Sequence, residues 1–382
     1  MVSKSSIPVF ARLKLQIITL KLGFENFLLD FLRLLLYKTP RDCKKILVFR
    51  TGSLGDSVNA IPAIQAVAAS YPNGRIDILT NAGKKNLVGI GFLIDKDIYH
   101  EIIDYNEFSK KKLFNILRQK KYDLVVQLPQ VDTTFFRLVR DLLVFSRIAP
   151  GGLGWFVSQT TWFRKTQAKH IIFKNENERL LTYLQKHKFK ITQGTPVLTI
   201  SDEDKQYTEK LLTELYSNEK KEKIAVVVGS KRPQNRWPIS YFEEVIKHFS
   251  KTHQILLIGA AEDEELITPL KEYANVESFC GRLTPLQSAA VISQCDLTLS
   301  NDTGPMHMSY AVGTPTVALF SSRDLPGKWY PPQKDNRVFR AVGIKCEACF
   351  SETCKNNICM QAIHPQEVIS AMEAILAESP LP

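Results

Sequence analysis

The sequence predicts an α/β protein with two doubly wound halves, each a parallel sheet covered by helices, and an amphipathic helical extension before them. Apolar segments of strand length alternate with segments of helical pattern, which is the order that builds parallel sheets. Two of the apolar segments end in loops that contain Gly and Asp and open a helix. We therefore divide the 382 residues into an extension over 1–44, a first half over 45–201 and a second half over 202–382.

The composition is that of a folded globular protein, since 44% of the residues are hydrophobic and 23% are charged. This balance excludes a wholly disordered chain, and 18 Gly and 19 Pro in 382 residues exclude a collagen-like one. Residues 1–45 carry +6 of the net charge of +11, with nine Lys and Arg against three Asp and Glu. Because the basic excess precedes the body of the protein, we expect no nucleic-acid partner.

The extension contains an apolar stretch, residues 9–37, in which polar residues recur at alternating spacings of four and three and line one face of a helix. They are Arg12, Gln16, Thr19, Gly23, Asn26, Asp30 and Arg33. The charges disfavour a membrane-spanning helix and favour one that lies in the interface of an anionic membrane. A helix packed on the protein body or on a second copy is the alternative. Residues 39–42 are predicted to be a linker.

The first half begins with a strand at 45–49, a helix at 58–69 and a strand at 75–79, which together make a βαβ unit. Further strands are predicted at 98–103 and 122–127, with a helix at 108–120 between them. Residues 150–169 lack clear periodicity and are predicted to form an irregular loop.

The second half opens with a helix for which Ser201 and Asp204 have nearly the spacing and chemistry of a capping box. Strands are predicted at 223–228, 254–258, 296–300 and 316–320, and helices at 241–250, 262–273, 285–294 and 306–312. In doubly wound halves, ligands bind beyond the carboxyl ends of the strands, so we expect a cleft between the two halves.

The loop after the first strand has the sequence Arg50-Thr51-Gly52-Ser53-Leu54-Gly55-Asp56. Its glycines permit a sharp turn and a close approach to a ligand. It lacks the Gly-Lys-Ser/Thr ending of a P-loop and does not match the dinucleotide motif. Asp56 lies where the helix begins, where it either caps the helix or accepts a proton from an attacking hydroxyl; spacing alone favours the cap.

The loop after the strand at 296–300 also opens a helix, with Pro305 at the first helical position and Gly304 allowing close approach. Its backbone N–H groups and the helix dipole predict an anion site suited to a diphosphate. Asp302 and Thr303 add an acceptor and a hydroxyl. His307, in the first turn, is predicted to donate to a phosphate or a ribose; a structural histidine is the alternative.

In this order and at these separations, the motifs resemble glycosyltransferase family 9, the heptosyltransferases of lipopolysaccharide core assembly. The family's Arg-Thr-x-x-x-Gly-Asp opening is matched by Arg50, Thr51, Gly55 and Asp56, and its Asp-Thr-Gly-x-x-His motif by Asp302, Thr303, Gly304 and His307. The donor-half motif is matched by Gly229-Ser230 and by Arg236-Trp237-Pro238. The similarity runs from about residue 45 to the C-terminus.

The resemblance implies a GT-B architecture, with an acceptor bound by the first half and a nucleotide sugar by the second. It implies inverting transfer of a heptose from ADP-heptose to a lipid-linked acidic glycan, with Asp56 as the base and with neither a cofactor nor a catalytic metal. The acceptor-side loop includes Arg50, Thr51, Gly52 and Gly55. The donor-side residues are Gly229, Lys231, Arg236, Asp263, Asp302, Thr303, Gly304 and His307, with Glu262 or Glu264 as alternatives to Asp263 at the ribose.

Two positions depart from the family pattern. Asn235 stands where the family often has a Lys as a phosphate contact, so we expect Arg236, Lys231 or Arg232 to supply the charge. Residues 321–323 are Ser-Ser-Arg where the family usually has Gly-Pro-Thr. The alternatives are therefore a family member that uses another nucleotide sugar for a cell-surface glycan, or a catalytically weak, membrane-bound binding protein.

The sequence also bears on location and on the cysteines. No secretory signal pattern is present, so we expect a cytoplasmic protein. The family resemblance implies that it acts on the inner face of the cytoplasmic membrane, where the family's acceptor lies. Four of the seven cysteines fall close together, at Cys346, Cys349, Cys354 and Cys359. We favour reduced structural thiols; a structural zinc site and disulfides are the alternatives.

Overall fold

The computed structural model describes residues 9–38, 42–81, 89–158, 171–216, 221–332 and 335–378. The chain divides into two compact units, residues 1–196 and 197–382. Most of the predicted linker at 39–42, and residues 159–169 of the predicted loop, lie outside the described residues.

The first unit is a five-stranded parallel sheet with helices. Its helices are α1 (Val9–Leu36), α2 (Leu54–Ser70), α3 (Lys110–Gln119), α4 (Phe135–Phe145) and α5 (Glu176–Lys186), and its strands are β1 (Lys45–Phe49), β2 (Arg75–Thr80), β3 (Glu101–Asp104), β4 (Leu124–Gln127) and β5 (Gly151–Leu153). The strand order is β3-β2-β1-β4-β5. Ile46 of the central strand lies between Ile76 and Leu124.

The second unit is a six-stranded parallel sheet with the order β11-β10-β9-β6-β7-β8. Its strands are β6 (Lys223–Val227), β7 (Gln254–Leu257), β8 (Val276–Ser278), β9 (Leu297–Asn301), β10 (Thr316–Phe320) and β11 (Arg337–Arg340). Its helices are α6 (Asp202–Tyr216), α7 (Ile239–Phe249), α8 (Glu264–Ile267), α9 (Pro285–Ile292), α10 (Gly304–Ala311), α11 (Ile358–Gln361) and α12 (Pro365–Glu378).

Both faces of the central strand β6 are buried, as a parallel sheet covered on both sides requires. Ile224 and Val226 pack into a core with residues of α7 and α12. Ala225 and Val227, which point to the opposite face, pack into a second core with Leu212 of α6. This alternation explains why the strand is one continuous apolar run in the sequence.

Three predicted elements need correction. The predicted strand at 98–103 begins only at Glu101. The predicted helix at 262–273 is broken into 3₁₀ turns around the short α8, because Pro269 lacks the N–H that a continuous helix needs. The predicted loop at 150–169 contains β5, since Gly151–Leu153 pairs with β4 despite a Gly-Gly-Leu sequence of low strand propensity.

The predicted N-terminal helix is present as α1, and its C-terminal end is joined to the edge of the first sheet. Tyr37 is buried, its hydroxyl donates to the carbonyl of Leu142 at 2.8 Å, and its ring stacks on Trp155. Lys38 forms a parallel bridge with Gly151 of the edge strand β5. Among the described residues, none of the helices combines the length and apolarity needed to cross a membrane.

Candidate functional site

The strand orders place the motif loops at the carboxyl ends of the central strands, where ligands bind in doubly wound folds. In each unit the chain starts at a central strand, builds one side of the sheet and then returns to build the other. The turning points lie between β1 and β4 in the first unit and between β6 and β9 in the second. Ligands bind beyond the carboxyl ends of strands at such points. The loops that follow β1, β6 and β9 hold most of the residues singled out in the sequence.

Arg50, at the end of β1, is a buried side chain that links several elements of the first unit. Its guanidinium donates to the carbonyls of Leu128 and Pro129, each at 3.2 Å, and lies 3.0 Å from a carboxylate oxygen of Glu176. Burial raises the pKa of Glu176, but the guanidiniums of Arg179 and Arg50 outweigh it and hold that pKa below its usual value. Arg50 therefore fixes the loop by joining β1, β4 and α5, a role the sequence motif does not reveal.

Asp56 closes the loop onto itself. Its Oδ2 accepts hydrogen bonds from the backbone N–H of Ser53 at 2.9 Å and from the Ser53 hydroxyl at 2.8 Å, while Oδ1 lies 3.4 Å from Arg50 Nη2. The helix-capping interpretation of Asp56 is thus confirmed in the geometry. The side chain is still 16% exposed, so part of the carboxylate can be reached from outside.

Gly52 is required by the position of Asp56. Its φ of +152° is in a region that favours glycine, and a Cβ there would lie 2.3 Å from Asp56 Cβ. Asn81 holds the turn, accepting from the Gly52 N–H at 2.8 Å and donating to its carbonyl at 2.9 Å. Thr51 is half-buried and Gly55 is buried in the same turn.

In the second unit, the first turn of α10 presents backbone N–H groups without a capping side chain. Thr303 is its N-cap residue and makes no side-chain cap hydrogen bond, and Pro305 occupies the first turn. The first N–H groups of any helix lack intrahelical acceptors, and the dipole favours an anion there. The anion site at Thr303 and Gly304 stays a prediction.

His307 is buried in this first turn. Burial lowers its pKa to about 3, so the imidazole is neutral at neutral pH. Its Nδ1 is hydrogen-bonded to the Tyr310 hydroxyl at 3.0 Å, and its ring meets Trp329 edge-on. A neutral imidazole has one donor and one acceptor, so it can supply a hydrogen bond but no positive charge.

Asp302 lies among several charges. Burial, together with the nearby carboxylate of Asp324, raises its pKa to about 7. Lys328, Arg232 and Arg323 act in the opposite direction, so their cationic groups lie near the carboxyl. Sequence reasoning missed Arg323 and Lys328; the only signal was the unusual Ser-Ser-Arg at 321–323.

Asn235, at the position of the family's Lys, holds the loops of the second unit together. Its amide donates to Asp302 Oδ2 at 3.1 Å, and its carbonyl oxygen accepts from the Ser321 hydroxyl at 2.7 Å. Of the expected substitutes for the Lys, Arg236 donates to the Ser230 carbonyl at 2.9 Å. The other two, Lys231 and Arg232, are exposed.

Asp263 is the acidic residue that faces the loop after β6. Its Oδ2 accepts from the N–H of Ala260 at 3.0 Å, and a Cβ on Gly229 would lie 2.1 Å from that oxygen. Gly229 is thus the residue that lets the carboxylate approach the backbone. Glu264 instead forms an ion pair with Lys271 at 3.2 Å, and Glu262 is exposed.

The four clustered cysteines are free thiols. Backbone N–H groups donate to Cys349 Sγ from Ser351 at 3.5 Å and to Cys354 Sγ from Asn357 at 3.3 Å. Within the described part of the chain, the one set of three metal-capable side chains whose ligand atoms lie within 4.8 Å of each other is Asp77, His100 and Glu101. The ammonium of Lys120 already pairs with both carboxylates of that set.

A model of glycosyltransferase family 9 (heptosyltransferase) matches residues 111–359, more than half of the chain. The chain belongs to glycosyltransferase family 9. The resemblance seen in the motifs is therefore confirmed.

Two curated relatives of this family 9 member are named as heptosyltransferases. A lipooligosaccharide heptosyltransferase 2 from Campylobacter jejuni is 34% identical over 154 residues, which are 38% of this chain and 48% of the relative. This chain spans about half the length of the Campylobacter relatives that it matches. A lipopolysaccharide heptosyltransferase 2 from Escherichia coli K12 is 25% identical over 323 residues, covering 78% of this chain and 88% of the relative.

Solved family 9 structures share the fold. A glycosyl transferase of the family from Veillonella parvula superposes with a TM-score of 0.67 at 20% identity, over 88% of this chain and 98% of that one. The E. coli heptosyltransferase WaaC with ADP gives 0.57 at 21% identity, over 87% and 99%. The predicted fold class, two Rossmann-like parallel halves of the GT-B type with an N-terminal helix, is confirmed.

Proposed function

We propose that the protein is an inverting heptosyltransferase that moves a heptose from ADP-heptose to a hydroxyl of a lipopolysaccharide-core acceptor. The observation that carries the proposal is that the chain belongs to family 9 and has its motif loops at the turning points of both sheets. Relatives named as heptosyltransferases support the sugar, and the similar E. coli heptosyltransferase WaaC, solved with ADP, supports the nucleotide. The acceptor is a lipid-linked acidic glycan, and the enzyme works on the inner face of the cytoplasmic membrane.

The donor is bound by the second unit in this proposal. The first turn of α10 receives the diphosphate, because its N–H groups have no capping side chain and the dipole favours an anion. Asp263 accepts from the ribose hydroxyls, since a carboxylate has acceptors for both. Arg323 and Lys328, which lie near Asp302, supply the charge that family members often take from a Lys at the position of Asn235. Neutral His307 donates a hydrogen bond.

The chemical step uses the first unit. Asp56 accepts the proton of the acceptor hydroxyl as that oxygen attacks the anomeric carbon from the face opposite the diphosphate. The bond to the diphosphate oxygen breaks, and the charge that develops on the leaving ADP is stabilised by the α10 N–H groups. Ser53 and Arg50 orient the Asp56 carboxylate through the contacts described above.

An assay of several nucleotide sugars against several truncated core acceptors, with product mass and linkage analysis, tests the function. We expect ADP-heptose to be the preferred donor and the product to have the inverted anomeric configuration. Turnover with another nucleotide sugar and none with ADP-heptose would contradict the donor. Binding of ADP-heptose without transfer to any acceptor would favour a binding protein instead.

Replacement of Lys328 tests the charge at the donor site. We expect Lys328→Met to weaken ADP binding by roughly 10- to 100-fold, because a hydrogen bond to a charged group is worth ~1.5–3 kcal/mol. Isothermal titration calorimetry with ADP measures it. Lys205→Met, on α6 and 51% exposed, is the matched control and should bind ADP normally. Equal affinities of the two variants would exclude Lys328 as a phosphate contact.

Replacement of Asp302 tests its raised pKa. An unfolded Asp titrates near ~3.9 and the folded one near about 7, so folding takes up a proton between these values. Stability is therefore lost as the pH rises from about 4 to about 7. Asp302→Asn keeps an acceptor for Asn235 and removes this loss. We expect the melting temperature of the variant, relative to the parent, to rise from pH 4 to pH 8. A difference that stays constant with pH would contradict the assignment.

A further inference from the structure

Helix α1 has two apolar faces, and only one of them is covered by the protein. Ala11, Leu22 and Leu29 are buried. The side chain of Asn26 fixes the orientation, because it accepts from the Val157 N–H at 2.8 Å and donates to the Val157 carbonyl at 3.2 Å. The rotation of the helix about its axis is thus set by the fold.

The opposite face is a continuous exposed stripe of large apolar side chains. They are Val9, Phe10, Leu13, Ile17, Leu20, Phe24, Phe27, Phe31, Leu34, Leu35 and Leu36, between 41% and 82% exposed. Among the described residues, these are 11 of the 21 large apolar side chains that are exposed. Three more, Phe136, Leu143 and Val144, belong to α4, which packs against α1. Exposed apolar surface on this scale marks an interaction site.

The exposed charges of α1 are cationic, and its acidic side chains are half-buried. Its exposed charged residues are Arg12, Lys14 and Lys21, all cationic. Its two acidic residues are half-buried, and one of them, Asp30, pairs with Arg33 at 3.5 Å and with Lys186 at 3.8 Å. The predicted polar row, which includes Arg12, Asn26 and Arg33, thus forms a border of the exposed stripe and contacts the body at its C-terminal end. The exposed surface presents apolar side chains with cations beside them.

We infer that this surface, the exposed stripe of α1, lies on an anionic lipid bilayer. A helix of 28 residues is about 42 Å long, and it would lie in the plane of the interface with its stripe among the acyl chains. Lys14 and Lys21 reach the lipid phosphates beside it. A second copy of the chain is disfavoured, because a two-fold contact would bring the same cations of both copies close together.

Vesicle binding by the full-length protein tests the inference without donor or acceptor, so its outcome is independent of the proposed transfer reaction. We expect flotation with vesicles that contain phosphatidylglycerol and much weaker binding to pure phosphatidylcholine. The triple variant Leu20→Glu, Phe24→Glu, Phe27→Glu changes only exposed side chains, and it should lose vesicle binding by at least ~10-fold, since each buried large apolar side chain contributes strongly. Val342→Glu, at 77% exposure outside the surface, is the matched control and should bind like the parent.

A second variant separates the contribution of charge. Lys14→Gln with Lys21→Gln should weaken binding to anionic vesicles by roughly fivefold for each Lys, and should reduce its salt dependence. Circular dichroism and the melting temperature confirm that each variant is folded. Undiminished flotation of the triple variant would overturn the inference. So would a parent protein that binds no vesicles and is a dimer by light scattering while the triple variant is a monomer, since the occupant would then be a second copy.

Discussion

The variant Asp56→Asn is expected to lower kcat by ~10²–10⁴, the usual contribution of a general base. An amide at this position still accepts from the Ser53 N–H through its oxygen, so the cap of α2 is retained, but it does not take a proton from the acceptor. Affinity for ADP should be unchanged, because the residue belongs to the first unit. Steady-state kinetics with ADP-heptose and calorimetry with ADP measure the two effects.

A capping control is available in the same chain. Asp204 forms the equivalent pair with Ser201 at the start of α6, with an Oγ to Oδ2 distance of 2.7 Å, on a helix that has no proposed site residue. Asp204→Asn removes the carboxylate at a helix start without disturbing a buried arginine such as Arg50, and it should leave kcat unchanged. If both variants turn over normally, Asp56 is a helix cap and the base must be sought elsewhere.

The variant Arg50→Met should lower the free energy of unfolding by ~3–5 kcal/mol, because it leaves the buried carboxylate of Glu176 with one guanidinium instead of two. It also removes the donors for the carbonyls of Leu128 and Pro129. Chemical denaturation followed by fluorescence gives the change in stability.

An exposed ion pair provides the control for Arg50→Met. Arg140 lies 2.6 Å from Asp141 but is 65% exposed, so Arg140→Met should cost only about 0–1 kcal/mol. A loss of stability in Arg50→Met no larger than in Arg140→Met would mean that the loop after β1 does not depend on its buried arginine.

The strands that surround each turning point could be predicted from the sequence because they are continuous apolar runs. The run at 223–228 is apolar throughout because both faces of the strand are buried. The loop motif at Asp302 is recognisable because a strand-to-helix turn restricts the residues that fit. Strand β5 had no such signal, since Gly151–Leu153 is a strand only because β4 lies beside it. The ends of helices were less certain than their presence, as α2 shows by starting at Leu54 rather than residue 58.

Site residues that belong to a sequence motif could be predicted. Site residues that are brought in only by tertiary contacts could not. Asp56 and Asp302 lie in motifs, whereas Lys328 is 26 residues after Asp302 in the sequence and approaches it only through the fold. The sequence offered two roles for Asp56, and the contact with Ser53 establishes the capping one without testing the other. No pattern in residues 50–56 indicates that Arg50 pairs with Glu176, which lies 126 positions away.

The junction at Tyr37 determines how a bound helix would act on the rest of its unit. A Cβ on Gly152 would lie 2.4 Å from the Tyr37 ring, so strand and ring are in direct contact and leave no slack between them. A flexible tether would only keep the protein near a surface, whereas this junction would fix the tilt of the first sheet against it and so the direction from which the proposed lipid-linked acceptor would arrive. The same junction covers β5, an edge strand whose exposure invites aggregation. Deletion of residues 1–40 would therefore expose the edge strand β5 and would not merely remove an independent extension.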